Sequence, residues 1–232
     1  MIEKKKGKVI VLASGGLDST TVLAMAVEKG EEVYAVSFDY GQRHRVELEC
    51  AKQVAGYYEV KHKIIRVDLR QIGGSALTDE IEVPKNRTPG EIASRVPPTY
   101  VPARNTIFLS FALAIAEVIS SPVVYIGANV LDYSGYPDCR PEYLKAFETM
   151  ANLALDTKGK NIPPLEVRAP LLFLSKADIV RKGDQLKVPF HLTHSCYDPL
   201  HSGYGCGRCD SCLLRKKGFA EAGVVDPIPY AS

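Results

Sequence analysis

The sequence predicts an α/β fold, a doubly wound parallel five-stranded sheet. Three observations point to it. Apolar runs of strand length alternate with segments of helical apolar spacing along most of the chain. The expected strands are continuous apolar runs rather than alternating ones, as when helices cover both faces of a sheet. The first of them runs into a glycine turn, "SGGLDST", which opens a helix. Such a turn presents backbone N–H groups to an anion.

Taken in order, 9–13 (VIVLA) is the first strand and 18–29 the first helix. A strand over 32–38, a helix over 43–55 and a strand over 63–68 follow. The segment 71–103 breaks the rhythm. It has no clear period and holds five of the fifteen prolines, so it is either a mobile surface excursion or the lid or wall of a site. A helix over 105–120 and a strand over 123–127 resume the alternation. Pro141 suits the first turn of a helix over 141–154. A short strand over 165–169 precedes a helix over 176–186, with Ser175 and Asp178 spaced as a capping box. A last helix over 213–222 leads into a proline-containing tail. Doubly wound sheets bind ligands at the carboxyl ends of their strands. The loops after Ala13, Phe38 and Gly127 are therefore expected to share one crevice.

A chain of 232 residues can form one large domain or one domain with an appendage. The division expected here is a main body over 1–190 and a C-terminal segment over 191–232. The net charge of +2 argues against nucleic acid as the main partner. No apolar run approaches the roughly 20 residues that span a bilayer. The start, "MIEKKKGK", lacks a signal-type cleavage site after its apolar stretch. A cytoplasmic location is expected, and the six cysteines then need a reason other than disulfides.

The glycine loop is not a Walker A loop, because no Gly-Lys-Ser/Thr follows, and it lacks the third glycine of the dinucleotide fingerprint. Ser14, Gly15 and Gly16 can still bring amides close to an anion, since glycine removes the side-chain obstruction. Ser19 and Thr20 add hydroxyls at the helix start. Asp18 would repel a phosphate, so it fits a Mg²⁺ ligand or a helix N-terminal carboxylate. A plain tight turn capped by Asp18 is the competing reading. Lys176 and Arg104 each stand where a helix opens, a place the helix dipole makes costly for a cation unless an anion offsets it. A solvated lysine and a surface salt bridge are the alternatives.

Cys196, Cys206, Cys209 and Cys212 are separated by nine, two and two residues. Four thiolates suit tetrahedral Zn²⁺ with no open position, the structural type of site. Crowded thiolates make little sense without a metal. A redox pair, an iron–sulfur cluster and unrelated buried thiols compete with zinc. His191, His194 or His201 could replace one thiolate.

The loop "SGGLDST" resembles the signature of the PP-loop pyrophosphatase superfamily, whose fold is adenine nucleotide alpha hydrolase-like. Five motifs occur in order: "SGGLDSTT", "YVPARNTIFLSFALAIAE", "GANVLDYSGYPDCRPEY", "APLLFLSKADIV" and "CGRCDSCLLRKKGF". Together they are similar to the 7-cyano-7-deazaguanine synthase family over nearly the whole chain. The resemblance implies an ATP-dependent ligase in queuosine precursor biosynthesis. It would convert 7-carboxy-7-deazaguanine and ammonia to the nitrile by two adenylations, with ATP and Mg²⁺ and a structural Zn²⁺. It implies ATP contacts from Ser14, Gly15, Gly16, Leu17, Asp18, Ser19 and Thr20, and adenine reading around Ser37 and Phe38. Asp18 would hold the metal, while Lys176 and Arg104 would serve the phosphates. Asp132 or Asp138 would read the guanine-like edge, with Tyr133 stacking on the base. A homodimer is also implied, with neither nucleic acid nor membrane as partner. The alternatives are a PP-loop enzyme that thiolates tRNA through Cys139, and a zinc-stapled nucleotide-binding module without turnover.

Overall fold

In the computed structural model, the described residues are 7–43, 45–93, 96–131, 136–156 and 163–231. β1 (Lys8–Leu12) leads through the glycine loop into α1 (Leu17–Glu28). Then come β2 (Glu32–Asp39), α2 (Val46–Tyr57) and β3 (Lys61–Arg66). A short α3 (Pro89–Ala93) lies in the aperiodic segment. The second half holds α4 (Arg104–Ile119), β4 (Val123–Tyr125), α5 (Pro141–Ala154) and β5 (Glu166–Arg168). α6 (Lys176–Gln185) and α7 (Asp210–Ala222) follow.

The five strands form one parallel sheet in the order β3-β2-β1-β4-β5. Alternate residues of each central strand enter opposite layers, as the pleat requires. Ile10, Leu12, Val36, Phe38 and Val124 pack with α4 and α5. Val9, Val11, Val33, Ala35, Val123 and Tyr125 pack with α1, α6 and α7. Both faces are covered, which is the doubly wound arrangement. The order reverses between β1 and β4, so a switch-point crevice opens where those two strands end.

The outer strands differ from expectation. β3 sits two residues earlier than 63–68 and alternates in exposure, because it is an edge strand with one face only half covered. β4 and β5 are shorter than the expected runs. α7 begins at Asp210 rather than 213, directly after Cys209. Ser175 caps α6 as anticipated, accepting from the Asp178 amide at 3.1 Å.

The segment 71–103 is a packed wall rather than a loose excursion. Ala76, Leu77, Val83 and Val101 are buried in the layer that holds α4. Lys85 pairs with Cys209 as an isolated antiparallel bridge, and the Asn86 amide donates to the Arg208 carbonyl at 2.8 Å. Arg87 forms a two-pronged ion pair with Asp210, which is 1% exposed. The proline-rich stretch is thus riveted to the cysteine segment. That segment is in turn tied to the body. Buried Arg215 donates to Asp226, Thr193 and the Phe190 carbonyl. Among the described residues, no helix is long and apolar enough to cross a membrane.

Candidate active site

The glycine loop is shaped by contacts on both sides. Gly15 has φ +86 and lies against the backbone of α2, where a Cβ would sit 2.6 Å from the Ala51 nitrogen and collide with the Glu47 carbonyl oxygen. Only glycine fits both the conformation and the approach. The Gly15 carbonyl accepts from the His194 amide at 3.0 Å, and the Ser195 hydroxyl accepts from the Leu17 amide at 3.4 Å. The loop is therefore held from outside by the approach to the first cysteine. Within it, Ser19 Oγ accepts from the Ser14 amide at 3.1 Å and lies 3.0 Å from Ser14 Oγ. Thr20 is buried, with its hydroxyl unpartnered, and does not line the crevice.

A crevice of about 1200 Å³, counted with its open mouth, lies above the ends of β1, β2 and β4. Ser14, Gly16, Leu17, Asp18 and Ser19 line one side. Phe38 and Phe108 form an aromatic wall, stacked 3.9 Å apart and 3° from parallel. Gly127, Ala128 and Asn129 come from the loop after β4, so the three expected loops do share one cleft. Ser37 faces away from the cleft. Its hydroxyl donates to the Ala13 carbonyl and meets His62 Nε2 at 2.8 Å, fastening β2 to the end of β1.

Lys176 and Asp18 meet although 158 residues separate them. Lys176 Nζ donates to both carboxylate oxygens, at 2.8 and 2.9 Å. The lysine stem runs over α7 at Gly218, where a Cβ would lie 2.9 Å from Lys176 Cβ and 3.2 Å from its carbonyl carbon. Gly218 is therefore a clearance point for the lysine.

Arg104 lines the crevice from the start of α4, beside Tyr136 and Tyr197. Burial works against its charge. The phenols of Tyr40, Tyr136 and Tyr197 and the Asp138 carboxyl outweigh that effect and raise its pKa. Tyr40 is itself pushed up to about 12 by burial. Asp138 is buried and holds the α4 N-terminus: its Oδ2 accepts from the Asn105 amide at 3.0 Å, and its carbonyl accepts from Asn105 Nδ2 at 3.1 Å. Burial raises the Asp138 pKa, and the Asn105 amide partly opposes the rise. Asp132 and Tyr133 lie outside the described residues.

Cys139 is buried with Asn105 Nδ2 3.3 Å from its sulfur. Burial, then the neighbouring Asp138, push the thiol up to about 11. That is the opposite of an activated thiolate, so a sulfur-transfer role for Cys139 gains no support.

Cys196, Cys206, Cys209 and Cys212 are all buried, and their sulfurs lie within 4.8 Å of one another. Tetrahedral zinc thiolates require sulfur separations of roughly 3.8 Å, close to the 3.9 Å between Cys209 and Cys196. Amides of Asp198 and Cys206 point at the Cys196 sulfur, and those of Arg208 and Cys209 at the Cys206 sulfur, all within 3.4 Å. Such donors favour thiolates. The donor set fits a closed metal site.

Several residues here escaped the sequence reading. Glu47, Phe108, Asn129, Ser195 and Tyr197 all line the crevice. Asn129 also donates to the Leu171 and Leu174 carbonyls at 2.7 Å, tying the β4 loop to the turn before α6. Only Tyr197 had a local signal, as the neighbour of Cys196.

Fold and site together define a doubly wound α/β protein with a glycine-loop crevice and a C-terminal segment able to bind metal. The family described as "Queuosine biosynthesis protein QueC" matches residues 8–223, and the chain belongs to it. Curated relatives span nearly the same length. A 7-cyano-7-deazaguanine synthase of Desulfatibacillum aliphaticivorans is 56% identical, covering 97% of each chain. One of Myxococcus xanthus is 58% identical over 96% of this chain and 97% of its own. Among solved structures, a 4-thiouridine synthetase–RNA complex with bound ATP has 18% identity and a TM-score of 0.48, covering 94% of this chain and 50% of that one. A predicted tRNA methyltransferase subunit of Methanocaldococcus jannaschii has 16% identity and a TM-score of 0.47, over 97% and 93%.

Proposed function

We propose that this chain converts 7-carboxy-7-deazaguanine, ammonia and ATP to 7-cyano-7-deazaguanine, the product that its relatives are named for. The observation that carries the reading is one crevice lined by the glycine loop, by Asp18, which Lys176 meets, and by Arg104. A carboxylate is a poor electrophile. Transfer of AMP onto it creates a leaving group and frees pyrophosphate, which we assign to the glycine loop from Ser14 to Ser19. Ammonia displaces AMP to give the amide. A second AMP transfer, to the amide oxygen, lets AMP and a proton depart and leaves the nitrile. Both transfers involve the same α-phosphorus, so one site suffices.

Each residue has a part in this scheme. Lys176, anchored across Gly218, delivers its ammonium to the phosphates. Asp18 is the carboxylate for Mg²⁺, which would neutralise phosphate charge as it develops. Phe38 and Phe108 offer an apolar face to adenine. Tyr133 and Asp132 remain candidates for the base. Asp138 positions Arg104 by holding the start of α4. Zn²⁺ is the metal we assign to the four thiolates, as a structural staple. A cytoplasmic homodimer that works on free small molecules, without nucleic acid or membrane, completes the reading. The near-neutral charge of +2 supports its last part.

The test is to supply the amide with ATP and no ammonia. Nitrile, AMP and pyrophosphate should form in equal amounts. Formation of ADP, or no nitrile, would refute the scheme.

A further inference from the structure

Arg104, which lines the crevice, and Lys176, which meets the crevice-lining Asp18, are held differently. Lys176 is neutralised by Asp18 at 2.8 Å. Arg104 forms no ion pair among the described residues. Its neighbours are the phenols of Tyr40, Tyr136 and Tyr197. The acid that acts on it, Asp138, has its Oδ2 on the Asn105 amide. A half-buried guanidinium with phenols around it, no ion pair of its own and an acid neighbour already committed to a backbone amide keeps donors for an anionic ligand.

The surroundings also say which anion. Aromatic rings line the same crevice: Tyr40 and Phe108 lie 5.5 Å apart, with Tyr136 and Tyr197 in the same lining. A planar, partly apolar molecule bearing one charged group suits such walls better than a polyphosphate, which wants amides, metal and hydroxyls. Those stand at the glycine loop. A guanidinium matches a carboxylate as a planar two-pronged pair.

We propose that Arg104 binds the carboxylate of the planar substrate, and that this pair selects the acid at the first activation, while the triphosphate is left to the glycine loop and Lys176. The proposal rests on the function proposed above and revises the phosphate role that the family resemblance implies for Arg104. Asn105 and Asp138 act through it, as positioning residues that set where the first turn of α4 points.

The acid and the amide differ in charge at one group, which makes the experiment selective. Binding of each, without ATP, is measured by calorimetry for the wild type, Arg104→Gln and Arg104→Lys. Metal content and thermal midpoint serve as checks of folding. A charge-assisted pair is worth about 10- to 100-fold in affinity. Arg104→Gln should weaken the acid by that factor and the amide at least tenfold less, with Arg104→Lys in between. In turnover, KM for the acid should rise far more than KM for the amide. Equal weakening of acid and amide, or loss confined to ATP affinity, would overturn the proposal. Because the binding arm needs no catalysis, failure of the wild type to turn the amide over would count against the two-step scheme and leave this inference to its own result.

Discussion

Gly15→Ala tests the loop geometry most directly. The new methyl group would lie 2.6 Å from the Ala51 nitrogen and closer still to the Glu47 carbonyl oxygen, where real contacts begin at 3.0 Å. Both obstacles are backbone atoms of α2, so no side chain can swing aside. An alanine at φ +86 costs about 1–2 kcal/mol in conformation alone. Overpacking adds about 1–3 kcal/mol. The less flexible unfolded chain returns about 0.4–1 kcal/mol. The net loss is then about 1–5 kcal/mol, or a fall in Tm of about 2–20 °C for a chain of this size. Relief requires the loop to move away from α2, and with it the amides at Gly16 and Leu17. Pyrophosphate release should therefore fall more steeply than stability. Differential scanning calorimetry and a coupled pyrophosphate assay read the two effects. A Tm within 2 °C of wild type together with turnover within twofold would refute the reasoning.

Elemental analysis should find one Zn²⁺ per chain; Cys209→Ser should lose it and destabilise the protein, whereas Cys50→Ser should not. Iron in its place, or no metal in protein purified without chelator, would overturn that assignment. Arg87→Met strips the partner from buried Asp210 and should cost about 3 kcal/mol in urea unfolding, with part recovered when Asp210→Asn is added. Cys139, pushed up to about 11, should resist iodoacetamide at pH 8. Its folded pKa exceeds its unfolded value, so the stability it contributes is complete below the unfolded pKa and is lost as pH climbs towards 11. Cys139→Ala should flatten that part of a Tm-against-pH curve.

The parts legible in the sequence were those whose causes are local. β1, the glycine loop and α1 are contiguous, and the spacing of Cys206, Cys209 and Cys212 carries its chemistry within one turn. Ser175 caps α6 through a residue three positions away. The illegible parts depend on distant partners. Nothing near Lys176 announces Asp18, and nothing near Gly218 announces that a lysine must pass over it. The stretch 71–103 lacks periodicity because its order comes from Asp210, Cys209 and Arg208 rather than from itself. The shift in β3 has a similar origin. An edge strand of alternating Lys and His with Ile gives a weak apolar run, and its register with β2 decides where it starts.

The two hydrogen bonds that join His194 and Ser195 to the glycine loop, one donated and one accepted, make the cysteine segment and the loop a thermodynamically coupled pair. Metal that orders the thiolates also orders the residues leading to Cys196, and through them the backbone that cradles an anion. Coupling of this kind is reciprocal. An anion seated at Gly16 and Leu17 would tighten metal binding, and removal of the metal would weaken the anion's hold by the same factor. A metal held by the four thiolates, although closed to substrate, would thereby set part of the affinity of a site it never touches.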